Sequence, residues 1–187
     1  MNKNCKIIVF CGKARAGKDT SASFLKEELE KENKKVLNLQ YSSYIKEYAK
    51  KISNWDGSEE TKPRELLQKL GTDIIRKEIN EYFFVKKMVD DIKVYSYFFD
   101  VITISDARFK IEVDSLKENF ESVIAVHIVR PNFDNGLTEE QKKHRSEIDL
   151  DDYNKYDYEI INDQGIDELN DKIKKFNIDM ISKWIML

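Results

Sequence analysis

The densest chemical signal in the chain is a short stretch near its start: Gly12, Lys13, Ala14, Arg15, Ala16, Gly17, Lys18, Asp19 and Thr20. It fits G-x-x-x-x-G-K, with an apolar run before it and an amphipathic stretch after it. Glycine at both ends lets the backbone curl until successive N–H groups converge on a phosphate, and the positive end of the following helix adds to their field. Lys18 then reaches the β and γ oxygens of a bound nucleoside triphosphate. The stretch departs from the usual pattern at Asp19, where Ser or Thr normally offers a hydroxyl to Mg2+. A carboxylate there holds the ion directly or through water, or else it simply favours the first helical turn. Thr20 offers a hydroxyl near the α-phosphate.

A second group of candidates comes from the choice of base. Of 32 Lys and Arg residues only Arg15, Arg64, Arg76, Arg108, Arg130 and Arg145 are Arg. The chain uses Lys wherever solvation is enough, so each guanidinium, a planar fork matched to paired phosphate oxygens, is a candidate anion contact. Asp106 follows an apolar strand and Arg108 stands two residues on. A carboxylate for the metal side and a guanidinium for a second anion are what transfer between two phosphorylated molecules requires. Arg64 and Gln68, four apart, share a helical face. Gln68 can read a base through its amide while Arg64 or Arg76 grips an acceptor phosphate; the alternative is a solvated helix face opposite Leu66, Leu67 and Leu70. Lys46 reaches the same pocket or is surface. Arg130 and Arg145, with Lys142 and Lys143, either close over the triphosphate and neutralise developing charge or form a solvated face.

These residues need a frame. Lys6 to Cys11 reads as a strand buried on both faces, and further strands are expected at 36–39, 101–105, 123–129 and 158–161. Helical stretches alternate with them, which predicts a three-layer α/β fold on a five-stranded parallel sheet, its site at the carboxyl ends of the strands. Residues 41–99 show no central strand and predict a helical, acceptor-binding insertion. The polar interval 131–150 predicts a short lid, and a helix from Ile166 to about Trp184 ends a single domain. The 35 acidic residues leave a net charge of −3, mixed along the chain, which argues against a nucleic-acid partner. Two cysteines on one strand do not pair, and no run is apolar enough for a membrane span, so a reduced, cytoplasmic protein is expected. The sequence leaves a homodimer open.

Asn154-Lys-Tyr-Asp157 matches the guanine-reading N-K-x-D of GTPases, but it lacks the apolar strand before it, and no glycine has Asp three places earlier. The blocks GKARAGKDT (12–20), SYIKEYA (43–49), RELLQKLGTDIIR (64–76), ISDARFKIE (104–112) and the SE, YDY and IIND elements of 144–165 together resemble the deoxynucleoside monophosphate kinase family. The resemblance runs over nearly the whole chain. It implies the P-loop nucleoside monophosphate kinase fold, ATP with Mg2+ as donor, a deoxynucleoside monophosphate as acceptor, and a metal organised by Asp19 and Asp106. Lys110-Ile111 departs from the Pro-Asn associated with that family. Animal-type phosphomevalonate kinase is similar in its G-K-D and S-D-x-R segments, whereas Leu67-Gln-x-x-Gly-Thr72 looks like the nucleotide kinases. A nucleotide-binding protein without turnover is the third reading, opposed by intact Lys18, Asp106 and Arg108.

Overall fold

Five short runs of β-branched and aliphatic residues form one sheet, and the connections between them explain its shape. The computed structural model describes residues 5–185, the side chains of 181–185 excepted. Strands β1 (Lys6–Cys11), β2 (Val36–Leu39), β3 (Val101–Ala107), β4 (Val123–Val129) and β5 (Tyr158–Ile161) pair in the order β2-β3-β1-β4-β5, all parallel. Parallel neighbours need crossovers, and helices on both faces supply them.

The faces of β1 show how the layers divide. Ile7, Val9 and Cys11 enter one core with Met88 and Ile92 of α4 (Phe83–Tyr95) and Val113 and Leu116 of α5 (Lys110–Asn119). Ile8 and Phe10 enter the other, with Ala22, Leu25 and Leu29 of α1 (Lys18–Lys31) and Ile173 and Phe176 of α8 (Ile166–Ile185). Alternation with period 2 thus feeds two cores from one strand. Both cysteines are buried as free thiols.

β3 runs two residues beyond the expected end, so Asp106 is part of the strand. The β1–β3 register shifts between Val9 and Cys11, where Cys11 comes to face Ala107. Between β2 and β3 lie α2 (Tyr41–Ser53), α3 (Arg64–Gln68), a π-helical segment Lys69–Ile79, and α4. The sequence reads 64–76 as one ordinary helix; the wider π turn instead brings Leu70, Gly71, Thr72, Ile75 and Arg76 all inward. The interval 131–150 holds two single-turn helices, α6 (Glu139–Lys142) and α7 (Arg145–Ile148). Among the described residues no helix is long and apolar enough to cross a membrane.

Candidate active site

The loop after β1 is shaped by what crowds it. Gly12 has φ +140°, and a Cβ there would stand 2.4 Å from the Ile128 carbonyl oxygen; Gly17, at φ +107°, would meet the Asn162 amide at 2.7 Å. Only glycine accepts both the backbone angle and the contact. Asn162, at the end of β5, donates from Nδ2 to the Ala16 carbonyl at 2.9 Å and from its backbone N–H to Val129 at 2.7 Å. The loop is therefore pinned to the sheet before any ligand arrives. Asn162 is no candidate by residue type alone; its signal is a polar residue at the carboxyl end of a parallel strand.

Lys18 opens α1 with only 5% of its surface exposed. Its Nζ donates to the carbonyls of Gly12 at 2.8 Å and Lys13 at 2.7 Å, so the ammonium is folded back onto its own loop. Burial, reinforced by the positive charge of Arg108, lowers its pKa to about 8. The Asp19 Oδ1 accepts from Ser105 Oγ at 2.6 Å and Gln40 Nε2 at 2.7 Å. Its other oxygen has no partner among the described residues and remains open to a cation. Thr20 is half-buried in the first turn of α1.

Asp106 has a different role from the one its position suggests. Its two oxygens accept the backbone N–H groups of Tyr41 and Ser42 at 2.8 and 2.9 Å, capping the start of α2. The carboxylate expected on the metal side thus anchors the helical segment to the sheet, with one N–H on each oxygen, and lines a cavity beside Asp19. No group of three or more His, Cys, Asp or Glu side chains is disposed to hold a metal among the described residues. An ion here would be held as Mg2+ usually is, by a single carboxylate and substrate oxygens.

Two cavities flank the loop. One, of about 340 Å3, is lined by Asp19, Lys46, Arg64, Gln68, Arg76 and Arg108 among others, which brings the expected acceptor residues together. Arg64 has no ion-pair partner among the described residues. Arg76 is the exception: 5% exposed, it pairs with Glu112 at 2.5 Å, donates to the Gly71 carbonyl at 2.9 Å and lies between the rings of Phe84 and Phe109. Its two terminal nitrogens are engaged by the fold, while the buried Nε has no hydrogen-bond partner among the described residues. Burial raises the Glu112 carboxyl to about 6 against the pull of Arg76, and Glu112 also accepts the N–H groups of Arg108 and Phe109. The pair clamps the π-helical segment to the turn that presents Arg108.

The other cavity, of about 460 Å3, is lined by Gly12, Lys13, Ala14 and Ala16 and by Arg130, Phe133 and Asn135 of the expected lid. Arg130 stacks 3.5 Å over Phe133 and donates to the Arg15 carbonyl at 3.4 Å, while Arg15 donates to the Asn135 carbonyl at 2.8 Å. Lys13 pairs with Asp151 at 2.8 Å. Arg145, expected over the triphosphate, lines neither cavity. It binds Glu81 at 2.8 Å and Asp149 at 3.0 Å above the Phe109 ring, tying the lid to the helical segment instead. Glu147, which residue-type reasoning passed over as one acidic residue among 35, accepts from the Ala14 N–H at 3.0 Å and pairs with Arg108. Asp157 of the N-K-x-D match accepts the Ala125 N–H and pairs with Lys117, both at Oδ2, and it lines neither cavity beside the phosphate loop.

A sequence model of deoxynucleotide monophosphate kinase matches residues 27–173. The chain belongs to the deoxynucleotide monophosphate kinase family. The match begins inside α1, so the phosphate loop is read from its own geometry. No curated protein matches the sequence. The fold is shared with solved P-loop kinases. A sugar kinase from Janibacter sp. HTCC2649 aligns at TM-score 0.57 and 13% identity, covering 94% of this chain and 95% of that one. Shikimate kinase from Acinetobacter baumannii, in complex with shikimate, aligns at 0.53 and 16%, covering 97% and 96%. Dephospho-CoA kinase from Campylobacter jejuni aligns at 0.50 and 13%, covering 92% and 96%. The family match lies with the nucleotide kinases and lends nothing to the phosphomevalonate resemblance.

Proposed function

We propose that this member of the deoxynucleotide monophosphate kinase family transfers the γ-phosphoryl group of ATP directly to a deoxynucleoside monophosphate, giving ADP and the diphosphate. One observation carries the reading: the loop cavity and the guanidinium-lined cavity share Ala14, Arg108, Ser146 and Glu147, so a donor in one meets an acceptor in the other. In-line transfer needs this arrangement and no covalent intermediate.

The roles follow from placement. The N–H groups of residues 12–20 and Lys18 hold the donor phosphates. Lys18 must leave its two carbonyls to do so. Mg2+, when bound, would be held at the free Asp19 oxygen and would neutralise phosphate charge. Arg108 and Arg64 hold the acceptor phosphate, Gln68 and Lys46 face the rest of the acceptor, and Arg130 caps the donor side. Asp106 positions these groups by tying the helical insertion (41–99) to the sheet, Arg76 by tying it to Glu112 of α5, and Arg145 by tying it to the lid (131–150). No general base is required, because the attacking phosphate oxygen is already an anion.

A coupled ADP-release assay across deoxy- and ribonucleoside monophosphates, with phosphomevalonate alongside, tests the reading. Deoxynucleoside monophosphates are expected to be preferred; turnover with phosphomevalonate alone would overturn it. Lys18→Met should lower kcat by roughly 10²–10³-fold with folding intact, while Arg108→Ala should act mainly on use of the acceptor.

A further inference from the structure

The residue at the seam of the two cavities carries the wrong charge for a site that must collect phosphates. Glu147 is 7% exposed, on the single-turn helix α7. One carboxylate oxygen accepts from the Ala14 N–H of the phosphate loop, and the other pairs with Arg108. Both donors are anion-directed, and together they reproduce two of the contacts that a phosphate at the seam would make. The Ala14 N–H is a single donor and cannot serve a carboxylate and a phosphate at once, and the Arg108 Nη1 donor given to Glu147 is lost to a phosphate. A carboxylate left in place beside incoming phosphate oxygens would also repel them.

The surroundings show why Glu147 is not needed merely to hold the lid together. Asp149 accepts the Lys110 N–H at 2.8 Å and also binds Arg145. Arg15 holds Asn135, and Lys13 holds Asp151, on the loop side. The lid thus has ties on both flanks, and Glu147 is the acidic side chain that takes a backbone N–H of the phosphate loop.

Building on the phosphoryl-transfer reading above, we infer that the Glu147 carboxylate is a resident anion at the seam, a built-in stand-in for a substrate phosphate, displaced when donor and acceptor phosphates bind. It keeps the Ala14 N–H and Arg108 satisfied and holds the lid over the loop between turnovers. Its cost is a lower apparent affinity for phosphates, since only the fraction of molecules with the carboxylate swung away is competent to bind.

The test uses inorganic tripolyphosphate as probe, titrated by calorimetry into the whole protein and its Glu147→Gln variant. Glutamine keeps the shape but competes poorly for Arg108, so tripolyphosphate should bind about tenfold more tightly and the KM for ATP should fall with it. Unchanged or weaker tripolyphosphate binding overturns the inference, as does a fall in kcat with affinity unaltered, which would make Glu147 a positioning residue for Arg108. Should Glu147→Gln fail to fold, Glu147→Asp is read in the same way, its shorter arm unable to span both donors and its tripolyphosphate affinity raised. The calorimetric arm needs neither acceptor nor turnover. A protein that binds tripolyphosphate more tightly as Glu147→Gln yet phosphorylates no monophosphate would sink the proposed function alone.

Discussion

Lys18 shows how one side chain carries opposite demands. Wedged under the loop and near Arg108, its ammonium loses its proton at about 8 rather than at 10.5. The unfolded chain binds that proton more tightly, so this residue's contribution to stability rises as pH rises from about 8 to about 10.5. Ligand binding runs the other way, because the charged form is the one that holds phosphate. ATP affinity should fall as pH is raised through about 8 and stay flat in Lys18→Met, measured by calorimetry across that range. A wild-type affinity that does not change between pH 7 and 9 would show that the ammonium does not touch the donor. Asp106 teaches the complementary lesson. A carboxylate at the end of a parallel strand is a good candidate for a metal, but two backbone N–H groups at the start of α2 reach it first.

The π-helical segment between α3 and α4 is the element on which the acceptor side depends. Its wide turn puts Gly71 where a Cβ would lie 2.8 Å from Ile45 of α2, and drives Arg76 inward to Glu112. Both partners are almost wholly shielded from water, at 3% and 2% side-chain exposure. Removing one charge leaves the other buried without a partner. Arg76→Met should therefore cost about 3–5 kcal/mol in urea unfolding. Adding Glu112→Gln should recover part of that loss, so that the double variant is more stable than the sum of the singles predicts. Strict additivity would mean that the two residues stabilise the fold independently. Loss of the clamp also frees the turn at Arg108, whose own N–H bonds Glu112 at 2.8 Å.

At the scale of the whole molecule the sheet is a fixed platform, with the helical insertion on one side of the loop and the lid on the other. An ion-pair tie between these two parts runs through Arg145, from Asp149 in the 131–150 interval to Glu81 of the insertion. A ligand that fills both cavities engages all three parts. A bisubstrate analogue, adenosine and deoxynucleoside joined by a polyphosphate, should raise Tm more than ATP at equal total concentration, because a ligand that engages both sites has the lower Kd and stabilisation grows with the ratio of concentration to Kd. An equal rise with ATP alone would mean that the second cavity is not the acceptor site.

Much of this protein is legible in one dimension. The alternating apolar runs determine the strands, since each must bury two faces, and the glycine spacing with Lys18 determines the phosphate loop, since only that backbone can converge its N–H groups. The fold class and the residues that gather around the second cavity follow from the same periodicities and from the scarcity of Arg. What tertiary structure alone decided is how each charge is spent. Arg76 and Arg145 look like free forks until burial and proximity pair them with Glu112, Glu81 and Asp149. Glu147 is in the sequence only part of the S-E element of the resemblance, with no role of its own until the lid carries it to Ala14 and Arg108. Asp149 aside, which is four residues from Arg145, these partners lie dozens of residues apart along the chain, so their electrostatics belong to the packed molecule and not to any local pattern.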